Sequence, residues 1–376
     1  MKRHFFENNK LVYIPAVLPS QDLYKKTLNG KTPTTWTDNG VGIYNNMLLS
    51  AYHAIKEPNM RKKMNIRDDV MVLGDSGGFQ LVTLGGKIDA KEVIKWQVDN
   101  CNAGLILDRP PYHFGNSANF SGTPTQKFLE ECLQTTINNA KIALQYLKET
   151  ENTNFRLYGV IQGETFEQMM YWGEQMRKID IGFHGWALSP KPSYDEIKIA
   201  LMYITYKELG LNTPMHILQV TSKGGILIAA YMRKLSKKTI TIDSSSFTSG
   251  ARYGCAISPF DLGNIYVGNF HDIDKDWICG CQVCENIDFT KKTKSIYLFI
   301  NIHNLMMTAQ YVKYADSLVE MDIEEFESSI KKISKNCIIA YEMLKTYNIY
   351  GLKICKNRFG EYFKGETTTQ QTVFDF

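Results

Sequence analysis

A chain of 376 residues, 44% hydrophobic and 22% charged with a formal net charge of +4, suits one large α/β barrel or two ordinary domains around a substantial core. No apolar run approaches the roughly 20 residues that a membrane span needs, and the opening MKRHFFENN is too short and polar for a secretory leader, so a cytoplasmic location is expected. The small charge excess neither demands nor excludes nucleic acid, and eight cysteines spread over this length are not a disulfide framework.

In chain order, 11–18 (LVYIPAVL) reads as a first strand and 21–38 as a polar loop. Residues 40–49 hold a short strand leading into a helix, and 70–75 (VMVLGD) form an apolar strand that stops at Gly74 and Asp75. Helical spacing over 89–102 carries Val93, Ile94, Trp96, Gln97 and Val98; then 104–108 (GLILD) is another apolar run closed by a carboxylate and turned by Arg109-Pro110-Pro111. A Gly-, Asn- and Ser-rich loop is expected over 112–126, and an amphipathic helix over 127–150. Strands at 156–162 (RLYGVIQ), 185–189 (GWALS), 215–220 (MHILQV) and 239–243 (TITID) alternate with helices at 165–178, 193–210 and 226–237.

Counting the two weak early ones, about eight strands separated by helices point to a (β/α)8 TIM barrel, with a doubly wound sheet as the rival. The expected division is a barrel over 10–262 and 295–350, an inserted small zinc-binding subdomain over 263–304, and a loose tail over 365–376. In a barrel, the carboxyl ends of the strands converge on one face. Asp75, Asp108, Gln162, Gln219 and Asp243, spread over about 170 positions, would then ring one pocket. The competing reading of Asp75 and of Asp243 is a helix N-cap.

Within WICGCQVC, Cys279, Cys281 and Cys284 form C-x-C-x-x-C, and His303 follows in a helix expected over 294–314. Cys3His is a closed tetrahedral zinc set with no position left for water, hence structural. His271 competes for the fourth position, and an iron–sulfur cluster would want a fourth cysteine near by. Cys101, Cys132, Cys255, Cys337 and Cys355 are scattered and read as core or surface thiols.

Together these motifs resemble the tRNA-guanine transglycosylase family, enzymes that exchange a guanine in nucleic acid for a 7-deazaguanine. The resemblance rests on DSGGFQ at 75–80, DSSSFTSGARYG at 243–254 and the cysteine cluster with His303; LILDRPP at 105–111, VIQGE at 160–164 and HILQV at 216–220 add to it. It covers residues from about 10 to about 320. It implies a pentosyltransferase with Asp243 as the nucleophile on C1′ and Asp75 as the general acid/base. Ser76, Phe79, Asp108, Gln162, Gly163 and Gln219 are then the base pocket, with Phe79 stacking on the base, and one structural Zn(II) is held by Cys279, Cys281, Cys284 and His303. The same resemblance implies free guanine or 7-deazaguanine as a partner and allows a homodimer.

The chain also departs from the family. Gly185-Trp186-Ala187-Leu188-Ser189-Pro190 stands where tRNA enzymes carry a GGLSVGE-like segment, and Ser244–Ser249 where they carry a proline-threonine-arginine stretch. Arg109 and Pro110 replace the residues that usually follow the recognition Asp. These changes around base and backbone favour the DNA-modifying branch, which inserts 7-cyano-7-deazaguanine or a relative in bacterial cells or phage-infected hosts, over tRNA. A catalytically silent nucleic-acid-binding subunit is the alternative from another class, and an unrelated barrel hydrolase a third. Lys275, Lys291, Lys292 and Lys294 beside the cysteines, and Lys331, Lys332 and Lys335 on a later helix, are candidates to follow a phosphate backbone.

Overall fold

The apolar runs that stop at a turn or polar residue become eight parallel strands: β1 Leu11–Val17, β2 Asn46–Ser50, β3 Met71–Asp75, β4 Ala103–Leu105, β5 Arg156–Ile161, β6 Gly185–Leu188, β7 Met215–Ile217 and β8 Ile240–Ser244. Each pairs with the next, and β8 returns to β1 with Leu11 opposite Ile240 and Ile14 opposite Asp243, closing the barrel. The doubly wound rival is thereby excluded. The structure is a computed structural model and describes residues 9–17, 27–111, 124–152, 154–179, 182–189, 196–220, 222–248, 255–258, 264–266, 279–287 and 296–365.

The described helices are α1 Ala51–Ala54, α2 Met60–Lys63, α3 Gly78–Leu84, α4 Ala90–Asn100, α5 Gln126–Glu149, α6 Phe166–Arg177, α7 Glu196–Glu208, α8 Lys223–Ser236, α9 Gln282–Asn286, α10 Ile296–Met321, α11 Ile323–Ile333 and α12 Lys335–Lys364. Local caps fix their starts: Asp89 accepts from the Lys91 and Glu92 N–H groups, Thr125 from Phe128, Thr165 from Gln168 and Ser222 from Gly225. One contiguous apolar core fills the barrel and the space beneath its helices.

Several boundaries differ from the sequence-based expectation. Helix α8 starts at Lys223, three residues before the expected start at 226, and runs through Gly224 and Gly225. The Ser222 hydroxyl accepts from the Gly225 N–H at 2.9 Å, and a Cβ on Gly224 would lie 2.3 Å from Glu196 Oε1, so buried Glu196 packs where only glycine fits. Strand β4 ends at Leu105, although Ile106 N–H still reaches the Tyr158 carbonyl at 3.1 Å. Lys331 and Lys332 lie on α11 but Lys335 opens α12, because the Ser334 hydroxyl accepts from the Cys337 N–H and starts a new helix. Most of the loop over 112–126, the first residues of the helix from 193, the segment 249–254, His271, Lys275, Lys291, Lys292, Lys294 and the tail beyond 365 lie outside the described residues.

Gln97 is fully buried on α4, and its Nε2 donates to the Gly74 and Leu105 carbonyls, each at 3.0 Å. It therefore clamps β3 and β4 just below Asp75 and Asp108. A buried donor that satisfies two carbonyls is costly to remove. Gln97→Leu is expected to cost about 2–3 kcal/mol, read as a lower urea midpoint at unchanged slope.

Beside the barrel, antiparallel β9 Cys255–Ile257 and β10 Asn264–Tyr266 join α9 and the start of α10 around a second apolar cluster that includes Val41, Ala256, Val283 and Phe299. Asn304 ties this unit to the barrel: it accepts from the Ile257 N–H at 2.7 Å and donates to the Phe247 and Cys255 carbonyls at 3.3 and 3.2 Å. Phe247 lies four residues past Asp243, so the second unit is fastened to the segment leaving β8.

Candidate active site and metal centre

Asp75 is the last residue of β3 and lies opposite Ser50 at the end of β2. Gly77 then adopts a left-handed φ of 82° that turns the chain sharply, and its N–H returns to Asp75 Oδ2 at 3.3 Å. Gly78 passes so close to Asp108 that a Cβ would sit 2.3 Å from its carbonyl oxygen. The glycine pair thus brings the β3 and β4 loops together.

Burial pushes the Asp75 carboxyl up to about 6, and the charges of Asp108 and Asp243 push in the same direction; the Ser50 hydroxyl and the Gly77 N–H oppose them. The closed barrel carries the ends of β3 and β8 to the same face, near enough for the Asp243 charge to be felt at Asp75. The folded protein therefore holds this proton more tightly than the unfolded chain. Its contribution favours folding below the ordinary carboxylate pKa and is lost as pH rises through about 6. Asp75 keeps partial solvent contact, so the penalty at pH 8 is about 2 kcal/mol. Asp75→Asn is expected to raise the melting temperature at pH 8, with the gain vanishing below pH about 4 in thermal scans across pH.

Asp108 lies just past β4 and is nearly buried. Its Oδ2 accepts from Gln162 Nε2 at 2.7 Å and its Oδ1 from the Ser76 hydroxyl at 3.2 Å. Burial raises its pKa, while these two hydrogen bonds pull it down. A carboxylate oriented from both sides presents fixed acceptors to any donor edge entering the pocket.

Asp243 is buried on β8, where its Oδ1 accepts from the Gln219 N–H at 2.8 Å. Gln219 takes a left-handed φ of 60°, uncommon for a residue that is not glycine, asparagine or aspartate. That strained turn ends β7 at Ile217 and aims the N–H at the carboxylate. The imidazole of buried His216 also approaches Oδ1, with Nε2 at 3.4 Å. Tyr13 on β1 donates its hydroxyl to the Ser244 carbonyl at 3.3 Å. Burial, then Tyr44 and then Asp243 push the Tyr13 phenol far up, so it stays neutral beside the carboxylate.

The structure thus gathers Asp75, Ser76, Asp108, Gln162, Gln219 and Asp243 at the carboxyl ends of the strands. Phe79, half-buried on α3, and Gly163, which packs against α6, are placed beside them by chain adjacency. Sequence reasoning gave no role to Ser50, Tyr13 or His216 by itself. The available signal for His216 was a polar residue inside an otherwise apolar strand run.

The cysteine cluster forms as expected. The ligand atoms of Cys279, Cys281, Cys284 and His303 all lie within 4.8 Å of one another. His303 Nδ1 is 3.8, 3.5 and 3.4 Å from the three sulfurs, and Cys279 and Cys284 sulfurs are 3.9 Å apart. Tetrahedral zinc with ordinary bond lengths requires S···N of about 3.6 Å and S···S of about 3.8 Å, so the donors fit such an ion. His303 Nε2 donates to the Ile257 carbonyl at 2.9 Å, which leaves Nδ1 as the lone-pair nitrogen facing the sulfurs. The group can hold one metal ion. The eight cysteines are all free, and Cys132, Cys337 and Cys355 are buried, as core thiols are.

These features define a (β/α)8 barrel with an acidic pocket at its carboxyl face and an attached Cys3His centre. No protein-family model matches the chain. It is 24% identical over 297 residues to queuine tRNA-ribosyltransferase of Helicobacter pylori strain G27, covering 70% of this chain and 76% of that one. It is 23% identical over 292 residues to the protein of the same name from Helicobacter acinonychis, covering 66% and 71% respectively. These distant relatives support the tRNA-guanine transglycosylase family and, with it, a transferase. Among solved structures, the carboxyl transferase domain of Rhizobium etli pyruvate carboxylase with pyruvate aligns at a TM-score of 0.37 and 9% identity, over 96% of this chain and 61% of that one. No described helix is long and apolar enough to cross a membrane.

Proposed function

We propose that this protein exchanges guanine in DNA for a 7-deazaguanine base, such as 7-cyano-7-deazaguanine, through a covalent intermediate on Asp243. The observation that carries the reading is the pairing of two unlike carboxyls in one pocket. Asp243 is pinned by a backbone N–H, while Asp75 has its pKa raised to about 6. Two carboxyls whose environments differ can divide nucleophile and acid/base work between them.

In the first half-reaction, Asp243 forms a C1′–O ester as the C1′–N9 bond of guanine breaks, and protonated Asp75 supplies a proton to the departing base. In the second, N9 of the incoming base attacks C1′, its proton passes to Asp75, and the Asp243 carboxylate is released. An acid and base near pH 6 can be present in either form at neutral pH. Asp108, oriented by Ser76 and Gln162, accepts from the N1–H and amino donors of the base. Phe79 stacks on it, and Gly163 and Gln219 complete the pocket wall. The target nucleotide leaves its stack to enter.

Cys279, Cys281, Cys284 and His303 would hold Zn(II), which would supply a structural cross-link there. The DNA assignment rests on the replaced segments at 185–190 and 244–249 and on the changed residues after Asp108. The second reading is the same exchange on tRNA, favoured by the names of the relatives. The protein is incubated with labelled guanine or 7-cyano-7-deazaguanine and either duplex DNA or a tRNA pool. Label in DNA is expected. Label in tRNA alone selects the second reading, and label in neither polymer removes the base-exchange account.

A further inference from the structure

The buried imidazole beside the nucleophile has no part in the chemistry above. His216 on β7 lies opposite Thr241 on β8, two residues before Asp243 on the same strand, so all three point to one face. Its ring is wholly buried. Nδ1 lies 2.8 Å from the Thr241 hydroxyl, while Nε2 faces Asp243 Oδ1 at 3.4 Å, a contact short of hydrogen-bond geometry, and has no hydrogen-bond partner.

The tautomer follows from the donor and acceptor inventory. A carboxylate only accepts, so an unprotonated Nε2 would set two buried lone pairs against each other. Nε2 therefore carries the hydrogen, and Nδ1 accepts from the Thr241 hydroxyl at 2.8 Å in preference to that hydroxyl's longer contact with the Met215 carbonyl at 3.4 Å. Oδ1 of Asp243 is then approached by two donors, the Gln219 N–H at 2.8 Å and the His216 Nε2–H. Among the described residues no hydrogen bond engages Oδ2.

We propose that His216 is a positioning residue: with Gln219 it fixes Oδ1 of Asp243, so that Oδ2 is the oxygen presented to C1′. This rests on the reading of Asp243 as the nucleophile. The long Nε2···Oδ1 separation is that of a contact that tightens when the pocket fills. Misplacing a nucleophile by a fraction of an ångström lowers the rate of the chemical step while leaving the binding of the free base nearly untouched.

Two measurements test it, one of which needs no turnover. In protein labelled with 15N-histidine, the His216 signals are assigned by their loss in His216→Gln. A protonated Nε2 whose resonance moves in Asp243→Asn is expected; an Nε2 without a proton, or one indifferent to Asp243→Asn, overturns the proposal whatever the protein's reaction. For base exchange, His216→Leu is expected to lower kcat about 30-fold with KM for the base within about twofold. His216→Gln, which keeps an N–H donor, restores most of kcat. An unchanged kcat in His216→Leu, or an equal fall in both variants, overturns it. Absence of exchange by the wild-type protein counts against the base-exchange reading, and the nitrogen resonances still decide the contact.

Discussion

Asp243→Asn is expected to reduce incorporation of labelled base by about 10,000-fold or more, the scale seen when a nucleophile that works as part of a unit is removed. The substitution changes chemistry and almost nothing else. An asparagine carbonyl in the place of Oδ1 still accepts from the Gln219 N–H, now at 2.8 Å from the carboxylate, so the β7–β8 junction keeps its shape. What is lost is an anion able to form and release a C1′ ester. A second readout follows: end-labelled nucleic acid treated with wild-type protein and denatured retains a protein-linked fraction, and the asparagine variant shows none. Thermal unfolding within a few degrees of wild type separates lost chemistry from lost fold. Incorporation that persists in Asp243→Asn removes the proposed nucleophile and leaves the acidic pocket without its assigned reaction.

Much of the framework behind that expectation is visible in the sequence. Apolar runs that end in Asp75, Gln162 or Asp243 announce both a strand and the polar residue it delivers, and a closed ring of strands carries those ends to one face. Contacts that depend on register are not visible. His216 alternates with apolar neighbours, which gives it a face, but its approach to Asp243 needs His216 to stand opposite Thr241. The left-handed backbone at Gln219 carries no compositional mark, because the usual sign of such a turn is glycine. The reverse happens at Gly224 and Gly225, where glycines, poor helix formers, serve close packing inside a helix. At Gly77 and Gly78 one glycine turns and the next begins α3, since the space a side chain would need is taken by Asp108. The cysteine cluster was legible because its spacing is short enough to fix geometry without knowledge of the fold; His303, preferred over His271 in the sequence, reaches it because α10 carries it there.

The joint variant Cys281→Ser/Cys284→Ser is expected to lower bound zinc from about one ion per chain to nearly none, measured by elemental analysis after gel filtration. The consequence extends beyond the cluster. The segment 279–287, which carries three of the four donors, forms only a five-residue helix and rests on the small second apolar cluster, too little surface to fold without a cross-link. Structural zinc contributes on the order of 10 kcal/mol to such units, though part of the loss is recovered by local unfolding that leaves the barrel intact. A fall in melting temperature of about 10 °C is therefore expected. Amide exchange should locate the loss at 279–287 and at β9, which His303 and Asn304 hold through the Ile257 carbonyl and N–H. Asn304 also donates to the Phe247 carbonyl, so slack in this unit reaches the segment that leaves Asp243. Base exchange should drop with the metal content while Asp75→Asn protein, treated with chelator, shows the same exchange pattern at 279–287. Zinc that stays at one ion per chain in the double-serine variant would show that these thiols are not its ligands.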